Sequence, residues 1–290
     1  MSAIAQNESG ETTVTRPGTS SSGLRVRSLP SLLLPVIVPA LLVLLWWMGS
    51  QGEVKGLFIA PPLDVLERTV GDFLSPHPGD FFLGEVARND LVPSLWRATL
   101  GFWLALVIGV GLGIVLGLRP VLAALFQPLV HLGRSLPTPA LLGVFFLLFG
   151  TGDWPKVLLI AFGVVWPILF NTIDGMQSIG MARAHVAAVF KIPSRDVLFR
   201  IVLPGAAPKI FAGTRVALSL SLIMMVISEL QKAKNGLGYL LVYDQRNFDY
   251  PGFWTVLVVL AVVGIVLNLI MIQIERRVLA WHRGVTAQHD

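Results

Sequence analysis

Long apolar runs separated by shorter polar ones set the pattern of this chain. Residues 32–48 carry no charge and follow Arg25 and Arg27, and residues 95–118 end at Arg119 and Pro120. Residues 154–171, 209–230 and 253–274 repeat the theme, the last closed by Glu275, Arg276 and Arg277. At about 1.5 Å per residue each run approaches or exceeds the roughly 30 Å of a bilayer's hydrocarbon core. A further run, 121–150, would measure about 45 Å as one helix, too long for a single crossing. It has to break, and Arg134-Ser135-Leu136-Pro137-Thr138-Pro139 is where Pro disfavours helix. The pattern therefore predicts a helical piece followed by a half-helix over 140–149, Pro167 as a kink in the next span, and an all-α integral membrane protein with six transmembrane helices.

The polar stretches divide the chain. Residues 1–28 are rich in Ser, Thr and Gly and predict a disordered tail; 29–92 hold the first span and an acidic loop; 93–280 form a five-helix core; 281–290 are a second tail. The first run ends in bulky Trp46, Trp47 and Met48, which suits a span better than a cleaved signal. In the acidic loop Pro61 and Pro62 precede LDVLERTVGDFL, whose Leu63, Leu66, Val70, Phe73 and Leu74 recur at helical spacing and predict a short helix at the membrane boundary. Gly236 and Gly238 predict a turn in 231–252. Gly109, Gly113 and Gly117, four apart, allow another helix to approach closely, either in a second copy of the chain or within one chain.

The longest polar island in the core lies within 179–208 and reads HVAAVFKIPSRDVLFRIVLPGAAP from His185. It is too long for a tight turn. One helical piece is expected to end at Lys191, Ile192 and Pro193. A second is expected to start with Ser194 as N-cap, to carry Asp196 in its first turn and Arg200 in its last, and to stop at Pro204 and Pro208. Val186, Val189, Phe190, Val197 and Leu198 give this polar island an apolar face. Such a face serves either to dock a partner or to fold back on the chain's own spans.

Composition fits a bilayer: 54% hydrophobic residues, 13% charged and a mean hydropathy of +0.73 are more apolar than a soluble domain of this length can hide. With no cysteine there is no disulfide, thiolate metal site or cysteine nucleophile. The net charge of +5 matters through its placement. Arg119, Arg183, Lys191, Arg195, Arg200, Lys209, Arg276 and Arg277 fall on the side of the island, which predicts that this side and both termini are cytoplasmic. No Gly-x-x-x-x-Gly-Lys-Ser/Thr, His-Glu-x-x-His or Gly-x-Ser-x-Gly run occurs, so neither a phosphate-cradling loop nor a hydrolase or zinc-protease motif is written in the chain. As acids or catalytic groups the spans offer Arg97, Arg134, Arg215, Glu229 and little else. An intramembrane charge marks a path or a partner, and a broken helix presents a partially positive amino end. Arg134, Thr138, Pro139, Arg215 and Glu229 are therefore candidates for a solute path that favours an anion, with Arg134 at the headgroup boundary as the other reading.

From Pro93 to Arg283 the chain resembles the inner-membrane permease subunits of binding-protein-dependent ABC importers, most closely those of the nitrate, sulfonate and taurine group. The resemblance is carried by PSLWRATLGF at Pro93, GRSLPTPAL at Gly133, FGTGDWPK at Phe149, IVLPGAAP at Ile201, AGTRVAL at Ala212 and ELQKAKNGLGYL at Glu229. The family's loop has Glu-Ala-Ala, a Gly four residues later, then Ile and Leu-Pro. Here His185, Val186 and Ala187 stand for the first three, Lys191 stands for the Gly, and Ile201, Leu203 and Pro204 complete the pattern.

The resemblance implies a type I ABC importer permease fold. It also implies a coupling loop, with His185 to Phe190, Lys191, Pro193, Val197, Leu198, Ile201, Leu203 and Pro204, that docks on a separate ATPase. ATP and Mg would then bind that partner, with no cofactor on this chain. Two ATPase subunits, a soluble or lipid-anchored substrate-binding protein and a second permease copy are the implied partners in a prokaryotic inner membrane, importing a small solute. An integral membrane enzyme or a secondary transporter is the alternative, and either would need intramembrane acids or a catalytic cluster.

Overall fold

The computed structural model describes residues 34–52, 58–75 and 82–280, and the side chains of all of these except 34–36 and 180–188. The tails at 1–28 and 281–290 lie outside the described residues. The first helix, α1, is Leu34–Gly49, and the chain divides into two compact units within it, after Leu45. From Trp46 onward the elements are α2 (Pro62–Phe73), α3 (Val92–Leu118, entered through a π turn at Ala87–Leu91), α4 (Pro120–Ser135), α5 (Leu142–Phe149), α6 (Trp154–Val189), α7 (Leu203–Glu229), α8 (Leu237–Arg246) and α9 (Tyr250–Val278). No strand occurs among the described residues.

Among the described residues, four continuous helical stretches are long and apolar enough to cross a membrane: Ala87–Leu118, Trp154–Ile179, Ser194–Glu229 and Tyr250–Val278. A fifth is the bent pair Pro120–Ser135 and Thr138–Phe149, which turns through 83° at the predicted break. The sixth expected crossing rests on α1, whose 16 described residues amount to about 24 Å. The half-helix starts differently from expectation. Thr138–Leu141 forms a 3-10 turn and the α geometry begins at Leu142, because Pro139 in the first turn brings no N–H and the tighter turn satisfies Ala140 N–H on Pro137 C=O at 2.8 Å.

The core is built where α3, α6 and α7 pack along their lengths. Ala98, Phe102 and Ala105 of α3 meet Ile160, Ala161, Val164 and Ile168 of α6, with Ala217, Met224 and Met225 of α7 closing the cluster. The glycine row of α3 decides between the two readings of its spacing. A Cβ at Gly109 would lie 2.9 Å from Ile168 Cγ2, one at Gly113 2.5 Å from Thr172 Cβ, and one at Gly117 2.5 Å from Met176 Cβ. The row is filled by α6 of the same chain, so these glycines bring two helices of one subunit together.

A second cluster gathers Phe73 of α2, Leu237 and Leu241 of α8, and Val256 and Val259 of α9 at the end of the bundle remote from the α6–α7 connection. α2 is the surface helix its periodicity predicts, but Phe73 and Val65 point inward while Leu63, Leu66, Val70 and Leu74 are exposed. Arg68 fixes α2 to the start of α9 by a fork onto Asp249, at 2.9 and 2.6 Å, with a third bond to Asp72 at 3.1 Å. The loop 231–252, expected as a turn, instead contains α8. Gly236 makes the turn with φ 120°, whereas Gly238 is helical and lets α8 approach α7, since a Cβ there would stand 2.5 Å from the Val226 carbonyl oxygen.

Candidate functional site

Three places collect the candidate residues. The first is the connection at the far end of α6 and α7, residues 190–193. α6 runs unbroken to Val189, so the fourth span and the first loop piece are one helix of 36 residues. Lys191 follows with φ 50°, a left-handed conformation in which Gly is at ease and Lys is strained. Pro193, at φ −56° and ψ 137°, occupies the N-cap position expected of Ser194, which is already helical.

Pro204 and Pro208 do not stop the second piece, which is helical from Ser194 to Glu229. The wide π turn over Val197–Val202 ends one residue short of Pro204, which sits in the first turn of α7, where a missing N–H costs no ladder bond. Asp196 and Arg200 pair at 3.3 Å on the exposed side. Val189 is 78% exposed, Phe190 72% and Phe199 58%. Val197 and Leu198, expected on that outward face, pack inward against Met176, Val202 and Ala206, as does Leu203. Phe199 takes their place, a position the apolar count alone passes over. Ile201 is half-buried. His185, Val186 and Ala187 belong to the last turns of α6, and their side chains lie outside the described residues.

The second place is the bend between α4 and α5. The Arg134 guanidinium stands 5.3 Å from the centroid of the Phe170 ring on α6, a cation–π contact at an otherwise exposed side chain. Thr138 is buried at the bend and Pro139 is exposed. Beside it an aromatic ladder runs Phe149, Phe145, Phe162, Trp166, with centroid spacings of 5.7, 5.9 and 5.3 Å. Trp166 Nε1 is buried and has no hydrogen-bond partner among the described residues. Arg215, the other candidate cation, is ion-paired with Glu275 of α9.

The third place is an ion cluster at the opposite end of the bundle, and Glu229 lies in it. Its side chain is fully buried, and Arg97 Nη1 donates to Oε1 at 2.6 Å. Ser94 Oγ donates to the same carboxylate at 2.8 Å and itself accepts from Leu237 N–H at 2.8 Å, while Gly238 N–H reaches Oε2 at 3.1 Å. The rest of Arg97 is spent on Asp153 Oδ1 at 2.7 Å and on Asn235 Oδ1 at 2.7 Å. Asp90 accepts from Gly236 N–H at 2.8 Å.

This network ties the starts of α3, α6 and α8 to the end of α7. A buried charge is tolerable only when paired and hydrogen-bonded, and here every part of the guanidinium and the carboxylate is engaged. The sequence flags Arg97 and Glu229 as isolated charges in apolar runs. It gives no sign that Ser94, Asp153 and Asn235 converge on them. Among the described residues no group of His, Asp and Glu is arranged to hold a metal ion.

Residues 105–280 match the family described as the binding-protein-dependent transport system inner membrane component. The chain belongs to that family. Among its relatives, the taurine transport system permease protein of Escherichia coli (strain K12) is 28% identical to this permease over 247 residues, 85% of this chain and 88% of that protein. The nitrate import permease protein of Synechocystis sp. (strain ATCC 27184 / PCC 6803 / Kazusa) is 27% identical over 251 residues, 87% and 90% of the two chains. A chain from the inward-facing MetNI methionine ABC transporter superposes with a TM-score of 0.58 at 19% identity, covering 66% of the permease and 95% of that chain. The permease therefore has the type I ABC importer permease fold, in a multi-pass membrane protein.

Proposed function

We propose that this permease is the transmembrane subunit of an ATP-driven importer, and that residues 190–203 dock on a separate ATPase. The observation that carries this is the exposure of both Phe190 and Phe199, large apolar side chains left 72% and 58% exposed at a connection that also carries Lys191, Arg195 and Arg200. Helices α6 and Ser194–Glu229 meet there, so a movement of the docked partner is delivered to the two helices that form most of the core.

The ATPase, present as two copies, binds ATP and Mg and does the hydrolysis. Two permease copies line the path, a separate binding protein delivers the solute at the end bearing the Arg97 cluster, and both termini and the α6–α7 connection are cytoplasmic. The relatives named for taurine and nitrate support a small solute that carries an oxyanion group, a sulfonate or a nitrate. The bend at Arg134, Thr138 and Pro139 is the segment of the path that the solute passes, with the cation–π contact to Phe170 holding Arg134 in place.

A secondary transporter would need a carboxylate free to load and release protons, and Glu229 is instead fixed by Arg97, Ser94 and Gly238. The docking reading is tested by co-purification. A double Phe190→Ala/Phe199→Ala chain should reach the membrane at normal level and lose its ATPase partner. Retention of the partner, or loss of the permease itself, would refute it.

A further inference from the structure

At the end of the bundle that holds the Arg97 cluster, a cleft of about 530 Å³ opens between the start of α3, the start of α6 and the segment after α7. Its volume lies in the range of small-molecule sites, about 300 to 1,000 Å³. Arg97, Lys156, Lys232 and Lys234 line it, and the carboxylate among its lining residues is Asp153.

One oxygen of that carboxylate is engaged, since Arg97 Nε holds Asp153 Oδ1 at 2.7 Å, and its side chain is 58% exposed to solvent screening. Lys156 is the telling residue. Its side chain is only 4% exposed, yet its ion-pair partner among the described residues is the same Asp153 oxygen, at 3.7 Å, beyond hydrogen-bonding distance. Lys156 lines the cleft, and its three donors find no acceptor within hydrogen-bonding distance among the described residues, so an anion in the cleft supplies a partner that water must otherwise provide. Lys232 lies 5.7 Å from the Phe146 ring centroid, and neither it nor Lys234 has a carboxylate partner among the described residues. Four cations against one carboxylate leave the lining net positive, and low-dielectric walls focus that potential into the cleft.

We infer that this cleft is a binding site for a small oxyanion of the sulfonate or nitrate kind, with Lys156 as its anchoring donor. The site receives the anion where it enters the permease, before the bend at Arg134. Its place in transport rests on the importer reading above, but binding itself does not.

Methanesulfonate is the probe, observed by saturation-transfer NMR of its methyl protons with the full chain in nanodiscs at low ionic strength. Wild type should give a saturable signal that nitrate competes away, while neutral dimethyl sulfone gives none. Lys156→Gln should weaken binding about tenfold and the exposed Lys234→Gln about two- to threefold, while Lys156→Arg retains it. The exposed position keeps the test decisive where Lys156→Gln destabilises the fold. No saturable signal, or affinity unchanged in both Gln variants, would overturn the site.

So would loss of binding-protein association in those variants without any methanesulfonate binding by wild type, since the cleft would then serve an acidic side chain of that protein. Saturable, lysine-dependent binding in a chain that supports no ATP-driven uptake would uphold the site and count against the importer reading alone.

Discussion

Arg97 and Glu229, 132 residues apart in sequence, meet at 2.6 Å with both side chains buried, and through them the starts of α3, α6 and α8 are fastened to the end of α7. The pair is a clamp on one end of the bundle. At the other end α6 is joined to the helix that begins at Ser194 by an exposed connection, so motion introduced there works against a fixed far end.

Removing one partner of a buried pair leaves the other charge uncompensated, which costs about 3–5 kcal/mol. Glu229→Gln and Arg97→Met should each lower the Tm of the purified permease by several degrees or prevent its accumulation. The double variant should be less damaging than the sum of the two, since no orphan charge remains. Strict additivity in a double-mutant cycle would show that the two groups do not interact.

The glycine row gives a paired comparison within α3. Gly113→Ala places a methyl 2.5 Å from Thr172 Cβ and should destabilise by about 1–3 kcal/mol through overpacking. Gly111→Ala meets nothing within 4 Å and should be neutral or stabilise by up to about 1 kcal/mol. Thermal unfolding of both variants distinguishes helix packing from mere helix propensity. If Gly113→Ala changed only the oligomeric state and not the Tm of the protomer, the row would belong to an interface between chains.

Lys191 sits at φ 50°, where a side chain costs roughly 1–2 kcal/mol relative to Gly. Lys191→Gly should therefore leave stability unchanged or raise it by about 1 kcal/mol. A clear loss of Tm would mean that the ammonium makes a contact that outweighs the backbone strain.

Asp244 of α8 is buried beside Asp249, and burial first, then that neighbouring carboxylate, pushes its pKa up from 3.8 to about 6. Because the folded state holds the proton more tightly than the unfolded chain, its favourable contribution is fully present below about pH 4 and is lost as pH rises through about 6. Asp244→Asn should remove this dependence and stabilise the permease at pH 7 by about 1–3 kcal/mol. A Tm difference between variant and wild type that is constant from pH 4 to pH 8 would contradict the assignment.

The amount of this that the sequence carries follows from physical range. Spans, the break at Arg134 to Pro139 and the left-handed residue at Lys191 are local: apolar run length, proline and a Lys where the family has Gly announce them within a few residues. What escapes is whatever depends on register between distant helices. The inward turn of Val197 and Leu198 follows from the π turn, which shifts their phase relative to a regular helix and exposes Phe199 instead. α8 escapes because its buried side, Leu237 and Leu241, is short and its burial is given by α9 and α2, not by its own periodicity. The convergence of Ser94, Asp153 and Asn235 on Arg97 and Glu229 likewise exists only once four segments are brought together.

The most direct test of the importer reading is uptake into proteoliposomes that contain the permease and its ATPase, with the binding protein and labelled solute outside and ATP trapped within. Uptake should require both ATP and the binding protein, should survive ionophores that collapse proton and sodium gradients, and should vanish in the Phe190→Ala/Phe199→Ala chain. Uptake that persists without ATP and collapses with the ionophore would contradict it.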